Sequence, residues 1–155
     1  MEQKTTIKAE EGQPAVLIAR EFDLPVEVLF QAYADPALVA QWMGTNVLHL
    51  ESRPHGSYRF ETTDAQGRVV FRAHGVIHAF CPAQRITRTF EMENAPFGVQ
   101  LEFLRFEARS ATTSALAMRV VYESLAHRDH QLRQPFAQGL SRAHDRLQAI
   151  LNPLT

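Results

Sequence analysis

The groups in this chain that could carry chemistry are seven histidines, one cysteine and a scatter of carboxylates. Their spacing builds none of the common catalytic motifs. There is no Gly-x-Ser-x-Gly elbow, no Gly-x-x-x-x-Gly-Lys phosphate loop, no Gly-x-Gly-x-x-Gly and no His-Glu-x-x-His. His144 falls about 80° from the centre line of an apolar helical stripe, at its border. An imidazole there can offer a ligand a hydrogen bond or a proton near pH 7, or simply bond a backbone carbonyl or water. His74 and His78, on one strand face, would stand about 13 Å apart, too far to share a metal ion. His127 and His130 can meet on a helical turn but bring no third ligand, so neither a metal nor another cofactor is expected. Glu102, Glu107 and Glu123 lie in alternating runs and read as outward carboxylates solvating a sheet rather than inward general bases. No catalytic residue is assigned on this reading. Cys81, beside Pro82 in an apolar run, reads as a buried structural thiol, and a lone cysteine suits a reducing compartment.

Composition narrows the function classes. A formal net charge of −1 and the lack of any Lys/Arg-rich run argue against a nucleic-acid partner. No apolar run approaches the ~18 residues that span a bilayer, and the first residues have no signal-type apolar stretch, so a cytoplasmic protein without membrane insertion is expected. With 155 residues, 45% of them hydrophobic, the chain fits one compact domain.

The elements that would position these groups are legible in the periodicity. From Pro135 to Leu151, Phe136, Leu140, Ala143, Leu147, Ile150 and Leu151 share a stripe of roughly 100°, opposite Ser141, Arg142, Asp145 and Gln148, which predicts a helix packed on a sheet. Leu125 and Leu132 fit an extension of that stripe, joined at a bend at Pro135. Residues 1–13 are polar without period and read as a flexible tail, leaving one domain over 14–152. AVLIAREF predicts a first strand of undetermined register, and two short helices follow. The first opens after Pro25, and the second is capped by Asp35-Pro36 and ended by Gly44. Six β runs then extend to Tyr122, separated by turn residues, with Gly75 marking a bulge or bend and Asn94 to Gly98 a loop. The class is α+β, in the order β-α-α-β-β-β-β-β-β-α.

VEVLFQAYADPALVAQWMG resembles the opening signature of the heat-shock protein 90 ATPase activator-like family, of the START-like (SRPBCC, helix-grip) superfamily. RPHGSYRF is similar to its strand-turn-strand segment, with His55 where the family usually has the first of two glycines. GVIHAFCPAQRITRTFE resembles its central strand pair, and QGLSRAHDRLQAIL its closing helix. In that helix Leu140 replaces the usual tryptophan and His144 occupies a usual leucine position. The resemblance implies a curved antiparallel sheet wrapped around a long C-terminal helix, with a cavity between them.

Trp42, Tyr58, Phe60, Phe90, Phe103, Met118, Phe136, Leu140 and His144 are the candidates for its lining, against the alternative that the large apolar ones simply fill a core. The implied function is binding of a small, largely apolar molecule. A cyclase or hydrolase acting on a hydrophobic substrate, or a chaperone ATPase-activating cofactor, are the alternatives. Residues 1–13 are too few to supply the additional N-terminal domain of the eukaryotic activator, so a chaperone partner is not expected. An exposed edge strand would permit homodimerisation.

Overall fold

The computed structural model describes residues 3–152 apart from 94 and 97. The expected tail and loop therefore fall partly outside the described residues. Twelve elements follow in order: β1 (Thr6–Ala9), β2 (Ala15–Phe22), α1 (Val26–Ala34), α2 (Pro36–Met43), β3 (Asn46–Leu50), β4 (Ser57–Thr63), β5 (Val69–Cys81), β6 (Arg85–Met92), β7 (Val99–Ala108), β8 (Ser114–Val121), α3 (Leu125–Arg133) and α4 (Phe136–Leu151). The strands form one antiparallel sheet in the order β1-β2-β8-β7-β6-β5-β4-β3, with α4 gripped by it.

Local signals account for most of this. Asp35 caps α2 by accepting from the Ala37 N–H at 2.9 Å, Pro36 is its first residue, and Gly44 closes it in the left-handed region at φ 64°. Pro135 interrupts the C-terminal helical region as a residue with no backbone donor must, so α3 and α4 are separate helices. The register of β2 is now defined. Val16, Ile18, Arg20 and Phe22 point inward and Leu17, Ala19 and Glu21 outward.

Four expectations are corrected. The flexible tail contains a strand, since Thr6, Ile7, Lys8 and Ala9 pair with Ala19, Ile18, Leu17 and Val16. Backbone donors and acceptors on β2 would otherwise form a free edge, and their pairing needs no apolar period in the partner. The apolar stripe continues into α3 only in part, since Leu132 packs against the core but Leu125 is 45% exposed and Gln131 is buried, because the break at Pro135 re-aims the earlier helix. Cys81 is only partly buried, lying at the end of β5.

Gly75 is the fourth. The register shift in the β5–β6 ladder falls between Ile77 and Ala79, not at the glycine. What Gly75 provides is space, because the Tyr58 hydroxyl crosses its position to donate to the Thr89 carbonyl while the Thr89 hydroxyl accepts from the Val76 N–H. A Cβ at Gly75 would stand 2.0 Å from the Thr89 carbonyl oxygen and 2.6 Å from the Tyr58 hydroxyl. Gly75→Ala should therefore destabilise the domain by about 1–3 kcal/mol, an overpacking cost. A lower urea midpoint at unchanged m-value is the expected reading.

His55 takes the left-handed conformation at φ 66°, at a place where a glycine is the less strained residue. Its N–H donates to the Ile77 carbonyl at 2.7 Å, which ties the β3–β4 turn to β5.

Candidate functional site

The N-terminal half of α4 does not settle on the sheet. Leu147 and Leu151 near its C-terminal end are buried, whereas Phe136, Leu140 and Ala143 are only partly so. Beneath them lies a cavity of about 560 Å³ bounded by α1, α3, α4, the end of α2 and the concave faces of β2, β5, β6, β7 and β8. Its apolar wall includes Trp42, Phe71, Phe90, Met92, Met118, Phe136 and Leu140. Gly139 also faces it, and a Cβ there would meet nothing within 4 Å.

Polar bonds fix the helices around this space. Arg20 donates to the Asp145 carboxylate at 2.7 Å, Gln148 accepts from the Asp23 N–H at 2.9 Å, and Arg146 donates to the Trp42 carbonyl at 3.0 Å. Trp42 itself donates from its indole to the Ala32 carbonyl at 2.7 Å. The other cover, α3, is capped by Ser124, whose hydroxyl accepts from the His127 N–H. It is also tied to the β1–β2 loop, where Arg128 donates to the Glu10 and Gln13 carbonyls at 2.7 Å each.

The floor is charged. Arg88 on β6 and Glu102 on β7 are direct register partners, and the Arg88 Nε donates to the Glu102 carboxylate at 2.8 Å. Gln100 donates to the other Glu102 oxygen at 2.8 Å, and the guanidinium lies 5.5 Å from the centre of the Tyr58 ring. Burial opposes the charge on Arg88, but the charge and hydrogen bond of Glu102, together with Tyr58 and Tyr33, outweigh it and hold the pKa above the ordinary arginine value. Tyr33, on the cavity wall, and Tyr122 have their phenol pKa values raised, chiefly by burial. Gln131, 9% exposed on α3, completes the polar lining, and its Oε1 has no hydrogen-bond partner among the described residues.

Five of the nine candidates, Trp42, Phe90, Met118, Phe136 and Leu140, are brought together on this wall. Tyr58 and Phe60 lie below it as packed core, their ring centres 5.0 Å apart. Phe103 is on the opposite, convex face beside Leu17, Ala117 and Arg119. Its expected placement came with an outward Glu102, and the structure reverses both, since successive strand residues alternate and Glu102, 5% exposed, faces inward to Arg88.

His144 is wholly buried away from the cavity. Its Nδ1 is 2.7 Å from the Thr5 hydroxyl and its ring meets Phe22 edge-on at 5.7 Å. Burial, reinforced by Arg20 and only partly countered by Asp145, lowers its pKa from 6.5 to about 4, so it is neutral near pH 7. Its Nε2 has no partner among the described residues. Such a group is a core histidine, not a cavity acid.

Sequence reasoning missed Arg88, Gln100, Glu102 and Gln131. A usable signal existed for one, because Arg88 shares a strand face with Phe90, which was already assigned to the cavity. Among the described residues no group of three or more His, Cys, Asp or Glu is placed to hold a metal ion, and no helix is long and apolar enough to cross a membrane.

Comparison with curated proteins by sequence returned no match. Solved structures share the fold. Protein Ms6760 from Mycobacterium smegmatis aligns with a TM-score of 0.84 at 21% identity, over 96% of each chain. A Rhodobacter sphaeroides protein aligns with a TM-score of 0.87 at 22% identity, over 97% of this chain and 99% of its own. DynU16, from the dynemicin biosynthetic locus, aligns with a TM-score of 0.72 at 16% identity, covering 90% of this chain and 48% of that one. The family model described as Activator of Hsp90 ATPase homolog 1-like protein matches residues 23–152. The sheet, the gripped helix and that match, which spans most of the chain, establish that the protein belongs to the Activator of Hsp90 ATPase homolog 1-like family.

Proposed function

We propose that the protein binds a small, largely apolar molecule in the cavity between α4 and the sheet. The observation that carries this reading is a space of about 560 Å³ walled by aromatic and methionine side chains, within the usual ~300–1,000 Å³ of small-ligand sites. The helix stripe over it is only partly buried, as expected of a surface that a ligand would complete. Methionines at Met92 and Met118 suit such a wall because a flexible thioether adapts to varied shapes.

Gly139→Leu tests this directly. The added side chain enters open space next to the cavity, so affinity for an apolar fluorescent probe such as anilinonaphthalene sulfonate should fall about tenfold or more. The melting temperature should hold or rise, since leucine improves helix propensity by up to about 1 kcal/mol over glycine. Native mass spectrometry of the purified wild-type protein should detect a retained molecule that the variant lacks. Unchanged probe affinity in the variant, or no probe binding by either protein, would sink the cavity reading. The family description names activation of the Hsp90 ATPase. Stimulation of that ATPase by a chain that binds no probe would favour the chaperone role instead.

A further inference from the structure

Resting on that reading, we infer that the ligand is a neutral, hydroxyl-bearing apolar molecule, such as a phenol or a fatty alcohol, whose hydroxyl is received by Gln131 on α3. The charged groups of the floor are already matched to each other. Arg88 and Glu102 neutralise one another, and both Glu102 oxygens accept hydrogen bonds, one from Arg88 and one from Gln100. Beside the lining stands the Gln131 carboxamide, nine-tenths buried, with an oxygen that accepts nothing among the described residues and that would reach a ligand by rotation of the side-chain amide towards the cavity. An unsatisfied buried acceptor is costly, and a ligand that donates to it removes that cost.

A hydroxyl is suited to this position because it donates and accepts. It can give its proton to the Gln131 oxygen and accept from the same amide were the group turned over. A purely hydrocarbon ligand would leave the acceptor unmet. A carboxylate has no proton to donate at neutral pH and would add a net charge to a chamber whose own ion pair is balanced. One arrangement could rescue the carboxylate, namely a head group held at the rim by Arg146, whose Nε is already engaged by the Trp42 carbonyl.

Isothermal titration with 1-naphthol, naphthalene and 1-naphthoate separates these cases, using the full chain and its Gln131→Met variant, which keeps the side-chain bulk and removes the amide. Wild type should bind 1-naphthol about tenfold more tightly than naphthalene, and the variant should bring that ratio close to one while naphthalene affinity is retained. Retained naphthalene binding also shows that the variant is folded. Tightest binding of 1-naphthoate, or a naphthol preference that survives in Gln131→Met, would overturn the inference while leaving the cavity reading standing. Loss of naphthalene as well would make Gln131 a structural residue and overturn its role as receptor. Failure of all three probes on wild type would overturn both.

Discussion

Glu102→Ala is expected to be the most damaging single change to this domain, lowering its stability by about 3–5 kcal/mol. The guanidinium of Arg88, 12% exposed on the cavity floor, would be left without its carboxylate. Removing one member of a buried pair costs far more than the pair contributes, because desolvation of the survivor is then uncompensated. The corresponding double variant, Arg88→Met with Glu102→Leu, should recover most of that loss, since well-packed apolar residues often replace a buried ion pair without net cost. Urea unfolding of the two proteins beside wild type measures the difference. A Glu102→Ala protein within about 1 kcal/mol of wild type would mean that the pair is solvated in solution. The double variant should also bind apolar probes at least as well as wild type, because it removes charge from the floor.

Acid should weaken the fold through His144. Its pKa is 6.5 in the unfolded chain and about 4 in the folded one, so below pH 6.5 the unfolded chain takes up the proton first. With the folded value depressed, this contribution is complete above about pH 6.5, declines as pH falls, and is exhausted once pH passes below about 4. The total across that window is roughly 3 kcal/mol. His144→Leu, which places at this position the residue usual in the family, should flatten the stability profile over the same range. It forfeits the hydrogen bond to Thr5 but also removes a buried Nε2 without a partner, so stability near pH 7 should change little. Melting temperatures of both proteins at pH 7 and pH 5 provide the check. A wild-type loss that His144→Leu reproduces in full would assign the acid sensitivity to groups other than His144.

Read from residue types alone, the helices and most strands were determined by short-range physics. Asp35-Pro36 and Gly44 bracket α2 because a cap, a proline and a left-handed terminus act within one turn. Pro135 must break a helix wherever that helix packs. The stripe of α4 follows from a period of 3.6, and the alternation in β4 from a period of two. The family resemblance then supplied the grip of sheet on helix and the existence of a cavity.

Tertiary structure decided what sits inside it. The run VQLEFLRFEA offers an apolar set on either face, with Leu101 and Phe103 against Leu104 and Phe106, so hydrophobicity does not choose between them. The choice falls to Arg88, which meets Glu102 across the ladder and turns the carboxylate inward. Thr6–Ala9 became a strand through backbone pairing, to which side-chain pattern is nearly blind. Gln131 is polar on a polar helix, and only the break at Pro135 and the anchoring of Arg128 lay it against the cavity. His144 stood at the border of its stripe by angle. Thr5, Phe22 and Trp42, distant in sequence, are what place it in the core and keep it neutral, because burial and partners are properties of neighbours that a linear period does not encode.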